Sequence, residues 1–418
     1  MNNSLPHSLL TLIPEEKSKK LLQTLDSSDK NWLRQLENQL DLLLYISYLE
    51  ARKGGKRKTF DEHLFEVNAF ENIENLLGSI LSHQYKPSKS AAHIIFHPVI
   101  REIFAAPFRD RIIHHLIFMS VYEWWDNRFC YDSYSCRIGK GVLFGIKRLT
   151  HHIASVKHQY GRTPIVAKFD IQGFFMSMPR NRLYERAIWG LNRQFKGREH
   201  LPEYQLIKYL WREIIFDDPV NQAIRKGHLT DWDLLPKSKS LFCQPKGYGI
   251  VIGNLTSQLL SNIYLDQLDR FITQALGYKH YGRYVDDFYM VIDKSQLPQL
   301  RKDIKSIENY LKTLELTLHP KKRTIRSTHQ GIDFLGARVY DGYIIPGHRL
   351  TKNMIKAFRE ITSGQREITS VPSYLGHAKY MNSYRTVKRA FALAGWDYNP
   401  EDNLLRPHRV YRPCRNKK

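Results

Sequence analysis

The segment Tyr278–Ile292 constrains the fold more than any other: it is aromatic and β-rich, with two adjacent acids, Asp286 and Asp287, at its centre. Tyr281, Tyr284, Val285, Phe288, Tyr289, Val291 and Ile292 flank them, so the pattern predicts a hairpin with the acids at its turn. A third acid, Asp170, ends the run Ile165-Val166-Ala167-Lys168-Phe169, which follows Gly161 and Pro164 and reads as a strand. Unpaired carboxylates in such apolar surroundings are costly, which predicts that cations match them. Three carboxylates are what a pair of divalent ions needs for in-line phosphoryl transfer, and oxygen ligands point to Mg²⁺, with Mn²⁺ as a substitute. Taken singly, an Asp at a strand end is a cap or turn residue, and a DD pair at a hairpin tip is plain turn chemistry. The weight lies in both occurring in one chain, in this order.

The chain is also strongly basic. Its 418 residues carry 64 Lys+Arg against 41 Asp+Glu, a net charge of +23, which predicts a polyanionic partner, nucleic acid ahead of a membrane surface. A hydrophobic content of 42% and an aromatic content of 12% exclude a disordered or low-complexity chain. No stretch reaches the roughly 18 apolar residues of a membrane helix. The first twenty residues lack a basic stretch ahead of the apolar run, so a cytoplasmic protein is expected. Cys130, Cys136, Cys243 and Cys414 are too few and scattered for a disulfide framework or a paired zinc site. His114-His115 and His151-His152 lack acidic or cysteine partners at metal spacing and read as core or nucleic-acid-facing residues.

Three regions are expected: a helical N-terminal extension (1–60), an α+β middle (61–345) and a helical, basic end (346–418). Residues 5–50 read as helical, with Leu33, Leu36, Leu40, Leu43 and Leu44 on one face, and Arg52–Lys58 reads as a basic joint. Residues 256–276 and 303–314 carry apolar positions at helical spacing. Trp124, Trp125 and Phe129 are expected to fill a core.

Tyr284-Val285-Asp286-Asp287 resembles the YxDD box of reverse transcriptases, and Phe169-Asp170-Ile171-Gln172-Gly173-Phe174-Phe175 resembles their first palm motif. Arg101-Glu102-Ile103, Phe108-Arg109-Asp110-Arg111 with His114-His115, and Asp132–Gly141 resemble fingers motifs of the bacterial enzymes. Leu316–Lys322 resembles the lysine-bearing motif after the catalytic hairpin, Gly331–Gly336 the primer grip, and Ser373–His377 a thumb motif. The ordered set covers about 90–385. Ile252-Gly253-Asn254-Leu255-Thr256-Ser257-Gln258 stands where most of the family carries QGxxxSP; this form resembles the enzymes of diversity-generating retroelements and related bacterial enzymes.

The resemblance implies a right-hand polymerase of α+β class, with fingers, palm and thumb, copying RNA into DNA. Asp170, Asp286 and Asp287 would be the catalytic metal ligands. Arg101 would hold the nucleotide triphosphate, although the lysine that usually precedes it is absent from His97-Pro98-Val99-Ile100. Phe175 would be the steric gate under the sugar, or a core residue. Ile252 and Gly253 would line the nucleotide site; an apolar branched side chain in place of the usual glutamine implies low fidelity. Lys321 or Lys322 would protonate the leaving pyrophosphate. Arg137, Lys140, Gly336 and Tyr374 would touch nucleic acid, while Arg109 and Arg111 read as structural ion pairs. Gly139-Lys140-Gly141 is no phosphate loop, since GxxxxGK[ST] is absent. Expected partners are template RNA, the RNA–cDNA duplex, deoxynucleoside triphosphates and a small basic accessory protein, with oligomerisation left open. Rival readings are an antiphage defence reverse transcriptase and a non-catalytic RNA-binding scaffold.

Overall fold

The computed structural model describes residues 39–53, 59–96 and 99–397. The arm before 39, residues 54–58 of the basic joint, His97, Pro98 and the tail with Cys414 lie outside the described residues. Among the described residues ten strands run in chain order: β1 Ala91–Ile95, β2 Arg101–Ala105, β3 Ile165–Asp170, β4 Ile224–Arg225, β5 Tyr281–Tyr284, β6 Asp287–Ile292, β7 Thr324–Ser327, β8 Ile332–Phe334, β9 Ala337–Val339 and β10 Ile344–Pro346. The class is mixed α+β, as the sequence implies. Among the described residues no helix is long and apolar enough to cross a membrane.

The chain forms two compact units, each from three stretches. The first gathers the described residues up to Cys130 with Gln172–Leu268 and Leu311–Thr317. Its central helix Phe108–Asp126 is buried on most of its faces, polar residues such as Asp110 and His114 included; Phe108, Ile112, Ile113, Leu116, Ile117 and Trp125 are all fully enclosed. Trp125 and Phe129 are core residues, and Trp124 is half-buried against Trp125. β1 pairs antiparallel with β2 and parallel with β4. Arg109 and Arg111 are held by local bonds, Arg109 to Asp110 (3.1 Å) and Arg111 to the Ala106 carbonyl (2.8 Å).

This unit also buries charge. The Arg180 guanidinium donates to the carbonyls of Gly249 (2.8 Å) and Asp217 (2.6 Å), and the Asp217 carboxyl is pushed up to about 6, chiefly by burial. An exposed Asp titrates near ~3.9. The folded state therefore holds this proton more tightly, and the group costs stability as pH rises from about 4 to about 6. Asp217→Asn is expected to raise stability at pH 7.5 by about 1–2 kcal/mol and to change nothing at pH 4; thermal unfolding at the two pH values checks this.

The second unit gathers Tyr131–Ile171, Asp269–Tyr310 and the described residues from Leu318. Its main sheet is antiparallel, in the order β5-β6-β3-β7. Helix Val142–Tyr160 lays Ile146, Leu149, Ile153 and Val156, spaced by three and four residues, into one cluster with Val166, Tyr289 and Val291. Strands β8, β9 and β10 form a small meander. Beyond it, helices His348–Thr362, Val371–Ala378 and Tyr384–Leu393 close on a core of their own, centred on Phe358, Phe391 and Trp396.

Two helix boundaries differ from expectation. The helix expected over 256–276 spans Leu255–Arg270 and then loosens into one π-turn, Phe271–Ala275. The helix expected from 303 begins at Leu297, continuing directly from a 3-10 turn Lys294–Gln296 that Asp293 and Gln296 close with a capping box.

Candidate active site

Strand pairing places the acids. β3 and β6 run antiparallel with Asp170 opposite Asp287, so the last residue of one strand meets the first of the other. Tyr284 also pairs with Asp287, which leaves Val285 and Asp286 as a two-residue hairpin loop. Asp170 is 8% exposed, and Asp286 and Asp287 are half-buried. The Asp286 carbonyl accepts the Ile171 N–H (3.2 Å), which ties the loop to the strand that carries Asp170.

Two lysines enter this cluster. Lys322 Nζ donates to both oxygens of Asp170 (3.0 and 2.9 Å), and Lys168 Nζ lies 3.3 Å from Asp287 Oδ2. Burial and then the neighbouring charges of Asp170 and Asp287 push the Asp286 carboxyl up to about 6. Burial raises Asp287 too, against the pull of Lys168. Among the described residues no group of three or more His, Cys, Asp or Glu side chains stands in a ligating arrangement. The donor set nevertheless suits a hard divalent ion: the donors are carboxylate oxygens, and their mutual repulsion is what a cation relieves.

Of the nucleotide-site candidates, Arg101, Phe175, Ile252 and Gly253 fall in the first unit and Lys321 in the second. Arg101 opens β2 and is exposed. Two residues on, Ile103 is followed by Phe104, whose N–H donates to the Ile252 carbonyl (2.9 Å), so β2 and the segment Ile252-Gly253 lie side by side. Gly253 has φ +133°, and a Cβ there would stand 2.5 Å from the Phe104 carbonyl oxygen, so the approach admits only glycine. Phe175 and Ile252 pack against one cluster with Ala92, Phe104, Met176 and Leu241.

The nucleic-acid candidates lie in the second unit and divide. Arg137 is 9% exposed, with its guanidinium on the carbonyl and hydroxyl of Ser133. Lys140 folds back over the Tyr131 ring. Gly336 (φ +83°) occupies the turn between β8 and β9, and Tyr374 packs edge-on to Phe358.

The family described as reverse transcriptase (RNA-dependent DNA polymerase) matches residues 99–339, more than half of the chain and all of the strands around the aspartates. The chain belongs to the reverse transcriptases. Members of that family are RNA-dependent DNA polymerases, a class of nucleotidyltransferase. This reverse transcriptase is 22% identical to protein YkfC of Escherichia coli K12 over 304 residues, 64% of this chain and 71% of that one. It is similar to a solved telomerase from Candida albicans (12% identity, TM-score 0.45) over 75% of this chain and 57% of that one. It is also similar to apo telomerase from Candida tropicalis (9% identity, TM-score 0.46) over 74% and 58%. The chain thus spans a little over half the length of those telomerases.

Three side chains of this reverse transcriptase are left unnamed or undecided by the motifs. Lys168 was legible: it breaks an apolar strand two residues before Asp170, on the same face. Lys322, and not Lys321, is the lysine on Asp170, a choice set by the turn at His319–Lys322. The third is Arg283, fully buried in β5. Its guanidinium grips Asp269 at 2.6 and 2.7 Å and donates to the Val285 carbonyl at 2.9 Å. A charged residue inside an apolar strand signals a partner, but nothing local names Asp269.

Proposed function

We propose that this chain copies an RNA template into DNA by two-metal nucleotidyl transfer, with Asp170, Asp286 and Asp287 as the ligands of two Mg²⁺ ions. The observation that carries this is the meeting of Asp170 and Asp287 across β3 and β6 beside Asp286, whose carboxyl its acidic neighbours help to raise. Bound Mg²⁺ would supply Lewis-acid activation of a 3′-hydroxyl and charge neutralisation at the leaving pyrophosphate. Lys322 is the chain's own proton donor near Asp170, and Lys168 balances Asp287. Arg101 would hold the triphosphate and Phe175 would exclude a 2′-hydroxyl. Phe175→Ala is then expected to raise ribonucleotide incorporation about tenfold or more in side-by-side extension with each nucleotide set.

The helices beyond residue 346 serve as the thumb. Arg349, Lys352, Lys356 and Arg359 are exposed at steps of three, four and three along helix His348–Thr362, a stripe suited to tracking duplex phosphates. Primer extension on a defined RNA template, with Mg²⁺ or with chelator, tests the activity: Mg²⁺-dependent cDNA is expected, and its absence with the native RNA added would favour a scaffold.

The finer reading is an error-prone enzyme of a diversity-generating retroelement. Ile252 supports it, because its side chain packs among apolar neighbours and offers a base pair no hydrogen bond. Sequenced cDNA is expected to show errors concentrated at template adenines; faithful product would favour the defence reading.

A further inference from the structure

Val285 has φ +55°, a left-handed conformation that is strained for a β-branched residue and persists only where its surroundings over-determine it. Its carbonyl is held by Arg283. Its N–H, which the β5–β6 ladder does not use, is accepted by Ser135 Oγ at 3.0 Å. We propose that Ser135 is a positioning residue for catalysis: by holding the Val285 N–H it keeps the strained loop in the conformation that presents Asp286 and Asp287.

The segment that carries Ser135 is itself fixed. It runs beside β5, with the Arg283 N–H donating to the Asp132 carbonyl (2.9 Å) and the Tyr134 N–H to the Arg283 carbonyl (2.9 Å). Asp132 is clamped by Arg148 at 2.6 and 2.9 Å. Tyr134 donates to Asp132 and shares a hydrogen bond with Tyr289 (2.9 Å), which lies two residues beyond Asp287. A Cβ on Gly282 would come within 2.2 Å of the Tyr134 hydroxyl, so side chain and strand interlock. Ser135, 1% exposed, thus offers its hydroxyl from a rigid mount. Losing that hydroxyl leaves the loop amide without this acceptor and lets Val285 relax toward ordinary φ, displacing the two aspartates. The core around Tyr134 and Tyr289 keeps its contacts.

The inference rests on the polymerase reading, so its test has one readout independent of activity. Ser135→Ala and Ser135→Thr are compared with wild type by amide hydrogen exchange over 284–287, by thermal unfolding, and by kcat and KM in primer extension. For Ser135→Ala, exchange at the loop is expected to quicken about tenfold or more. Tm should stay within a few degrees, and kcat should fall about ten- to a hundredfold at unchanged KM. Ser135→Thr, which keeps the hydroxyl, should restore both. Unchanged exchange would overturn the proposal whatever the activity; so would a large loss of Tm, which would make Ser135 an ordinary core residue. If wild type extends no primer even with the native RNA added, the polymerase reading fails while the exchange result still decides the role of Ser135 in the loop.

Discussion

Replacing Asp286 by alanine is expected to lower primer extension at least about a thousandfold and to leave the protein folded. A metal site contributes several kcal/mol of transition-state stabilisation, and each ~1.4 kcal/mol is a factor of ten. The same change should stabilise the metal-free protein at neutral pH. The Asp286 carboxyl sits at about 6 in the fold, above its value in the unfolded chain. Ionising it therefore costs stability as pH rises from about 4 to about 6, and removing it removes that cost. A catalytic loss with a gain in Tm at pH 7.5, and no gain at pH 4, separates a ligand from a structural acid. Millimolar Mg²⁺ should raise Tm in wild type and less in the variant, since a ligand that binds only the folded state stabilises it. Equal extension by both proteins would remove Asp286 from the mechanism.

The second large effect is on stability. Asp269→Ala is expected to cost about 3–5 kcal/mol, because it strands the Arg283 guanidinium where both partners have no exposure at all. Tyr281 also donates to Asp269 (2.5 Å), so the carboxylate anchors two residues of β5. Asp269→Leu combined with Arg283→Met replaces the pair by apolar groups and should recover most of the lost stability. It should not recover turnover, because the Val285 carbonyl loses its donor. Denaturant unfolding beside primer extension reads both. Recovery of stability and turnover together would show that Arg283 has no part in shaping the loop.

Much of the site was legible because its residues violate their surroundings. Asp170, Asp286 and Asp287 stand out in apolar strands, and their order along the chain is enough to propose that they meet. Lys168 could have been read by the same rule, since alternate residues of a strand share a face. The choice between Lys321 and Lys322 was not legible, because one residue's rotation in a turn decides which side chain faces Asp170. Arg283 and Asp269 lie fourteen residues apart across a π-turn and a loop, and no periodicity links them. The early start of helix Leu297–Thr313 follows from the capped turn at Asp293–Gln296, which apolar spacing from Ile304 onward does not register. The interleaving of two units is equally invisible to a linear reading, since composition does not change where the chain passes between them.

That interleaving sets a timetable for synthesis. β3 leaves the ribosome with both edges bare, and its partners β6 and β7 follow more than a hundred residues later. At 5–20 residues per second the wait is about 6–25 s. For that interval an apolar strand of the nascent chain has no native neighbour on either side, and chaperone capacity or slower, cooler expression becomes a condition of yield. Asp170 meets Asp286 and Asp287 only after β6 emerges, so the three acids are among the last parts of the main sheet to come together.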